Sequence, residues 1–159
     1  MAGHVNIGIP EKNRKEVCKL LQVILANEYV LYTKTLNFHW NVEDRQFHDF
    51  HEFFKDQYEM LFVIVDDVAE RIRSLGTKSH GSLTEFAKST TLKEKAVDGM
   101  DGIEMIAQLL KDHETVIHQL REDQDTAMEL GDQGTNNFLI SLIEKHEKTA
   151  WMLRSHLVK

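Results

Sequence analysis

The chain reads LNFHWNVEDRQFHDFHEFF over residues 36–54, a stretch that joins two long apolar runs and contains His39, His48 and His51, three of its nine histidines. Histidine is a weak helix former, and its imidazole titrates near neutral pH and binds transition metals. So many histidines at one junction indicate either a functional site or an accident of composition. The spacing of the neighbouring residues has to decide between the two.

Long helices are predicted on both sides of this junction. Apolar residues recur at steps of three and four from about residue 11, just after Pro10, to about residue 38, and again from about residue 44 to 74. The segment HWNVED interrupts the pattern, so it predicts the turn between the two helices. The glycines of LGTKSHGS end the second one.

The second half of the chain has a similar layout. A third helix is predicted at about residues 101–130 and ends at Gly131, and a fourth follows with Thr135 as its N-cap. In the long connection before them, Ser82 and Glu85 of SLTEFAKS predict a capping box and a short helix.

This order of elements predicts the fold class. Two helices, a long crossover and two further helices are typical of an all-α, ferritin-like four-helix bundle, with a short extra helix in the connection between helices 2 and 3. We expect one domain over residues 1–159, since a chain of this length can bury a single core.

The composition argues against several classes of protein. With 19 basic and 26 acidic residues the net charge is −7, which disfavours binding driven by nucleic-acid phosphates. No apolar run approaches the roughly 20 residues that span a bilayer, and the N-terminus lacks the layout of an export signal. We therefore expect no membrane partner and a cytoplasmic location. The single cysteine, Cys18, lies in an apolar helical run and is expected to be a packed thiol.

Two acidic residues on the second helix have metal-ligand spacing. Asp66 and Glu70 are four residues apart and share a helix face, although an acidic stripe facing solvent has the same pattern. His51 precedes Asp66 by fifteen residues, which is about 22 Å along a straight helix. Metal–ligand bonds are about 2 Å long, so one helix cannot bring both residues to one ion.

Either these residues are unrelated, or a second chain supplies the missing half. If two copies pack their second helices antiparallel near Tyr58 and Glu59, His51 of one chain approaches Asp66 and Glu70 of the other, twice per dimer. His39 can then lean in beside His51. Two imidazoles and two carboxylates suit Fe(II) or Zn(II) better than calcium.

The remaining histidines are less informative. His48 lies one turn before His51 and either joins the site or is an exposed residue at the helix start. His113 and His118 are five residues apart, which does not fit the zinc-protease spacing of four. The others are expected to be structural or exposed, without obvious partners: His4, His80, His146 and His156.

The blocks HWNVEDRQFHDFHEFF, YEMLFVIVDDVAERIRSLG and EKHEKTAWMLRSHL resemble the sequence signature of the Dps mini-ferritins over nearly the whole chain. The resemblance implies a hollow homo-dodecamer, built from twofold dimers, that oxidises Fe(II), preferably with hydrogen peroxide. It implies storage of ferric mineral and protection against oxidative stress. It places the ferroxidase ligands at His39, His51, Asp66 and Glu70, with iron as the metal. Zinc is a candidate substitute because it suits the same donors.

Two positions depart from the family pattern. Where an acidic residue usually follows His51 by one turn, this chain has Lys55, which predicts at least one iron position weaker than is usual in the family. After the threonine at position 135, an aspartate near the threefold pore is often found, and this chain has Asn137. The candidates for attracting cations to the pore are Asp125, Glu129 and Asp132.

Two roles are open for Trp40, which follows a proposed ligand: electron donation or radical trapping at the site, and packing at the dimer interface. The alternative function is a DNA-compacting Dps shell in which Lys55 weakens iron oxidation, and the net charge of −7 argues against it. A purely structural helical bundle with incidental histidines is the third hypothesis.

Overall fold

The computed structural model describes residues 5–94 and 96–158, and its regular elements are all helices. In chain order they are α1 (Glu11–Asn41), α2 (Phe47–Ser74), α3 (Leu83–Ser89), α4 (Gly102–Glu129) and α5 (Gln133–Ser155). The helix α1 packs against α2, α4 packs against α5, and the short α3 lies against α1. The prediction of an all-α four-helix bundle with a short extra helix is confirmed.

The periodic apolar residues fill the space between the four long helices. Phe38, Phe50 and Phe54 are fully buried where α1 meets α2, and burial of each side chain contributes about 1.5–3 kcal/mol. Cys18 is buried as expected, and burial raises the pKa of its thiol. None of the helices in the described residues is long and apolar enough to cross a bilayer.

Buried polar side chains fix the long crossover to α1. Lys34 lies almost wholly inside the protein, where its ammonium donates to the Lys93 carbonyl and to Asp112, each at 2.7 Å. Asn27 accepts hydrogen bonds from the Thr90 hydroxyl and the Thr91 N–H, each at 2.8 Å. The capping box of Ser82 and Glu85 predicted for α3 is present. Because these contacts satisfy buried groups, the crossover has one defined path.

The start of α5 differs from the prediction. The N-cap is Asp132 and not Thr135, which lies inside the first turn. The Asp132 carboxylate accepts from the Thr135 N–H at 2.9 Å and from the Arg71 guanidinium at 2.8 Å. Because Arg71 belongs to α2, this cap also ties α2 to α5. An aspartate that caps a helix and pairs with an arginine is favoured over a threonine that caps it alone.

The start of α4 packs closely on the junction of the first two helices. A Cβ atom built on Gly102 would lie 2.5 Å from Cδ2 of Phe50. Phe50 is the residue before His51, so this glycine sets how near α4 comes to the histidine-rich stretch. A side chain at this position would require the ring of Phe50 to shift.

Candidate metal centre

The last turn of α1 and the first turns of α2 bring His39 and His51 together, as expected. Their rings stack with centroids 3.7 Å apart and planes inclined by 22°. Nδ1 of His39 lies 2.7 Å from the carbonyl oxygen of His51, and Nδ1 of His51 lies 2.8 Å from that of His39. Each histidine therefore fixes the ring of the other through its main chain.

These two contacts also determine where the ring protons lie. A carbonyl oxygen only accepts hydrogen bonds, so each Nδ1 must carry the hydrogen. In a neutral imidazole the lone pair is then on Nε2, and an Nδ1–H held by a carbonyl is the usual support of a metal-binding histidine. Both rings are thus oriented and in the tautomer that binds a metal through Nε2.

Aromatic residues surround the histidine pair and extend to the surface. Phe47 stacks on His51 at 5.0 Å, and Tyr58 meets His39 edge-on at 5.2 Å. Trp40 is 67% exposed and Phe47 is 47% exposed. Large aromatic side chains left in water beside a polar site indicate a surface that another molecule covers.

The two acidic residues lie farther along α2, away from the histidines. The side chains of Asp66 and Glu70 are exposed and form no hydrogen bond or ion pair within residues 5–94 and 96–158. In that part of the chain no three His, Cys, Asp or Glu side chains form a group that could hold a metal ion. One chain thus has an oriented pair of imidazoles and a separate pair of unpaired carboxylates.

The other sequence candidates lie in different places. Lys55 is partly buried one turn after His51, and His48 is exposed at the start of α2. Around the turn from α4 to α5, Asp125, Glu129 and Asn137 are exposed. Asp132 is only 1% exposed and its carboxylate is occupied by Arg71 and Thr135. Its charge is therefore balanced within one chain, and its role at a pore stays a prediction.

Sequence reasoning missed a buried polar chain in the middle of the bundle. Glu28 on α1, His146 on α5 and His113 on α4 are each 0% exposed. Nε2 of His146 lies 2.9 Å from a Glu28 carboxylate oxygen, and the Nδ1 atoms of His146 and His113 are 2.8 Å apart. His146, expected to be structural or exposed, is structural, and it has two partners that the sequence did not reveal. The one signal in the sequence was Glu28 itself, an acidic residue at a core position of α1.

The burial of Glu28, His146 and His113 determines the chemistry of these three side chains. Loss of hydration, and then the neighbouring His146, hold the pKa of His113 well below its ordinary value, so His113 is neutral. His146 contacts Glu28 and His113 through different ring nitrogens, and the described residues contain no group of three such side chains that could hold a metal ion. We regard it as a buried hydrogen-bonded support that connects three helices.

Comparison with known proteins supplies the family. Residues 18–159 match the Ferritin family, described as a ferritin-like domain. A DNA protection during starvation protein of Bacillus anthracis is 33% identical, over 90% of this chain and 97% of its own length. The chain belongs to the Dps family of mini-ferritins.

Two further matches of this Dps chain cover almost its whole length. A low temperature-induced protein of Nostoc is 42% identical over 96% of this chain and 86% of its own. The crystal structure of a Dps protein from Vibrio cholerae superposes with a TM-score of 0.92 at 29% identity, covering 99% of this chain and 100% of that one. That protein is a member of a broad superfamily of ferritin-like diiron-carboxylate proteins.

Proposed function

We propose that this Dps protein oxidises Fe(II) with hydrogen peroxide at sites shared between two chains, and stores the ferric product inside a hollow dodecamer. Membership of the Dps family supports iron storage and protection during starvation, and the diiron-carboxylate superfamily supports oxidation of iron. The observation that carries the proposal is the divided ligand set, because neither half is sufficient in one chain.

The surface of α2 supports the proposed pairing of chains. Phe62 is 61% exposed and Val63 is 53% exposed, about one helical turn before Asp66. Covering such apolar side chains is favourable at about 25 cal/mol per Å². An antiparallel contact centred near Tyr58 and Glu59 covers both and sets each histidine pair against the acids of the partner. Trp40 and Phe47 then lie at the edge of the same contact.

The ligand set suits the oxidation of iron. Fe(II) binds to Nε2 of His39 and His51 and to the carboxylates of Asp66 and Glu70 from the other chain, and zinc fits the same donors as a substitute. Anionic oxygens stabilise Fe(III) more than Fe(II), which favours the loss of an electron. Two Fe(II) ions together give two electrons to one peroxide, which takes up two protons and leaves as two waters. No hydroxyl radical is released in this two-electron step.

DNA compaction is the alternative function, suggested by the names of relatives such as the protein of Bacillus anthracis. The described basic residues near the N-terminus do not favour it. Arg14 is buried and donates to the carbonyls of Val5 and Ile9, and Lys15 pairs with Glu11. Together with a net charge of −7, this leaves little free positive charge for phosphates. A gel-shift assay at low salt should show no complex.

Replacement of both acids tests the proposed site. The variant D66A/E70A should lose fast Fe(II) oxidation by peroxide, because the remaining imidazole ligands provide no anionic oxygen to stabilise Fe(III). Its assembly should be unchanged, since the exposed apolar side chains of Phe62 and Val63, which the contact covers, are kept. Asp67→Ala is the matched control, because it removes a neighbouring carboxylate on the same helix and should oxidise iron normally. Normal oxidation by D66A/E70A would refute the site.

A further inference from the structure

The three tyrosines of the chain form one line of ring contacts that starts at the proposed ligand His39. The ring of Tyr58 meets that of His39 with centroids 5.2 Å apart, and Tyr32 meets Tyr58 edge-on at 6.3 Å. Tyr29 meets Tyr32 at 6.0 Å and stacks on Phe86 of α3 at 4.4 Å. Each tyrosine is partly buried. The line therefore leads from the histidine pair along α1 and α2 through rings that can pass an electron from one to the next.

Tyr58 is the oxidisable side chain whose ring contacts His39 directly. Tyrosine and tryptophan lose an electron far more readily than phenylalanine, so Phe47, which stacks on His51, is not a donor. Trp40 follows His39 in the sequence, but its side chain is 67% exposed and its ring contacts no other ring in the described part of the chain. The path of ring contacts from His39 therefore leads to Tyr58 and not to Trp40.

A shared site that holds a single Fe(II) lacks one electron for peroxide. Peroxide takes two electrons to form two waters. When it receives only one, its O–O bond breaks into hydroxide and a hydroxyl radical. Lys55 favours this half-filled state, because it lies one turn after His51 and forms no ion pair within the described residues, so that its positive charge opposes the binding of another cation. A second electron donor in the protein would prevent release of the radical.

We propose that Tyr58 gives the second electron to peroxide when one Fe(II) is bound, an inference that rests on the proposed function. The Fe(II) ion gives one electron, and the phenol of Tyr58 gives one through the ring of His39. The O–O bond breaks, and the peroxide takes up these two electrons, the phenolic proton and one proton from the solvent, and leaves as two waters. No hydrogen bond within the described residues retains the phenolic proton. The products in the protein are Fe(III) and a tyrosyl radical.

The other two tyrosines receive the radical. Because Tyr32 contacts Tyr58 and Tyr29 contacts Tyr32, the radical is shared along the line, away from the metal. The next Fe(II) to reach the site reduces it and becomes Fe(III), and the phenol regains a proton from the solvent. The sum of both steps is two Fe(II) oxidised for each peroxide, as in the reaction of a fully loaded site. The tyrosines therefore store one oxidising equivalent between the arrivals of two ions.

Freeze-quench electron paramagnetic resonance of the assembled protein tests this directly. The apo-protein is loaded anaerobically with one Fe(II) per chain and mixed with an equal amount of hydrogen peroxide. The wild type should show a tyrosyl radical, identified by the narrower signal of protein that contains ring-deuterated tyrosine, and should give little hydroxyl-radical adduct with a spin trap. Tyr58→Phe removes only the phenol oxygen and should lose most of the tyrosyl signal, while the hydroxyl-radical adduct increases. Tyr29→Phe, the same change at the far end of the line, is the matched control and should keep both readouts of the wild type.

The possible results separate the two proposals. Fast iron oxidation without a tyrosyl signal in the wild type, or an undiminished signal in Tyr58→Phe, would refute the role of Tyr58 and leave the shared site standing. A tryptophan radical that Trp40→Phe removes would also refute it. Fast oxidation by D66A/E70A would refute the shared site itself. With excess Fe(II), Tyr58→Phe should oxidise iron at the wild-type rate, which shows that the variant is folded and assembled.

Discussion

His39 and His51 orient one another by a reciprocal exchange, in which each Nδ1–H donates to the carbonyl oxygen of the other residue at 2.7 and 2.8 Å. Both lone pairs on Nε2 are thereby free for a metal. The same contacts close the junction of α1 and α2, so the pair serves the fold and the site together. A substitution at either position must then affect both stability and metal binding.

The first prediction concerns the two reciprocal hydrogen bonds between His39 and His51. His51→Ala should lower the free energy of unfolding by about 1–3 kcal/mol even without metal, because the carbonyl of His51 keeps its partner while that of His39 loses one. His48→Ala, three residues away and exposed, should stay within about 0.5 kcal/mol of the wild type. Urea unfolding in the presence of a chelator measures both. Equal stabilities would show that the exchange contributes nothing to the fold.

The second prediction concerns Asp123. Burial, with a smaller contribution from Glu122, raises the pKa of Asp123 from 3.8 to about 6, against a lowering hydrogen bond from Gln119. A raised pKa stabilises the fold below pH 3.8, and that stabilisation is lost as the pH rises through about 6. Asp123→Asn should therefore be more stable than the wild type at pH 7, by on the order of 1–3 kcal/mol. Thermal unfolding at pH 5 and pH 7 measures both proteins. A variant that is no more stable than the wild type at pH 7 would contradict the prediction.

The third prediction concerns His113, whose contribution to the pH dependence of stability has the opposite sign to that of Asp123. Because burial and His146 lower the pKa of His113, its neutral form is favoured in the folded state and stability is fully present above pH 6.5. Below that value the unfolded chain takes up a proton that the folded chain refuses, so stability falls as the pH decreases. The groups that face His113 within the bundle are His146 and, beyond it, Glu28.

Comparison of variants isolates this effect from that of Asp123. His113→Gln should show a weaker loss of unfolding free energy than the wild type between pH 6.5 and about pH 5. It should also be less stable at pH 7, because His146 loses its neighbour. Parallel pH profiles for the two proteins would show that His113 is not kept neutral by the fold.

The fourth prediction concerns the contact between α4 and the histidine-rich junction. Gly102→Ala should destabilise the protein by about 1–3 kcal/mol, since the added Cβ meets the ring of Phe50 at 2.5 Å. Gly81→Ala is a matched control, because a Cβ there meets nothing within 4 Å. Chemical denaturation compares the two. If Gly102→Ala is as stable as its control, the ring of Phe50 can move aside.

Local patterns predicted the helices well, because periodicity and caps act over a few residues. The capping box of Ser82 and Glu85 is an example, since both partners lie within one turn. The cap of α5 was missed because Arg71, far away in sequence, selects Asp132 over Thr135. Glu28 was missed for the same reason: only the convergence of α1, α4 and α5 shows that His146 is its partner.

The candidate site also has a part that local sequence predicts and a part that depends on distant contacts. The neighbourhood of His39 and His51 follows from a short turn between two helices, so the sequence could predict it. The path of the loop after α2 depends on Gln22, which holds the main chain at Lys78 and His80 in a contact that no local pattern predicts. In the proposed site the histidines and the acids come from two different chains. The sequence of one chain indicates this only indirectly, because His51 and Asp66 are too far apart on one helix to bind the same ion.

Complementation between two inactive chains tests the shared site most directly. One variant, H39A/H51A, keeps its acids, and the other, D66A/E70A, keeps its histidines. Each should oxidise Fe(II) slowly by itself. After co-assembly at equal amounts, half of the dimers are mixed and each of these has one intact site, so fast oxidation should return to about one quarter of the wild-type rate. If all four ligands acted within one chain, the mixture would stay as inactive as its components, and that result would contradict the account.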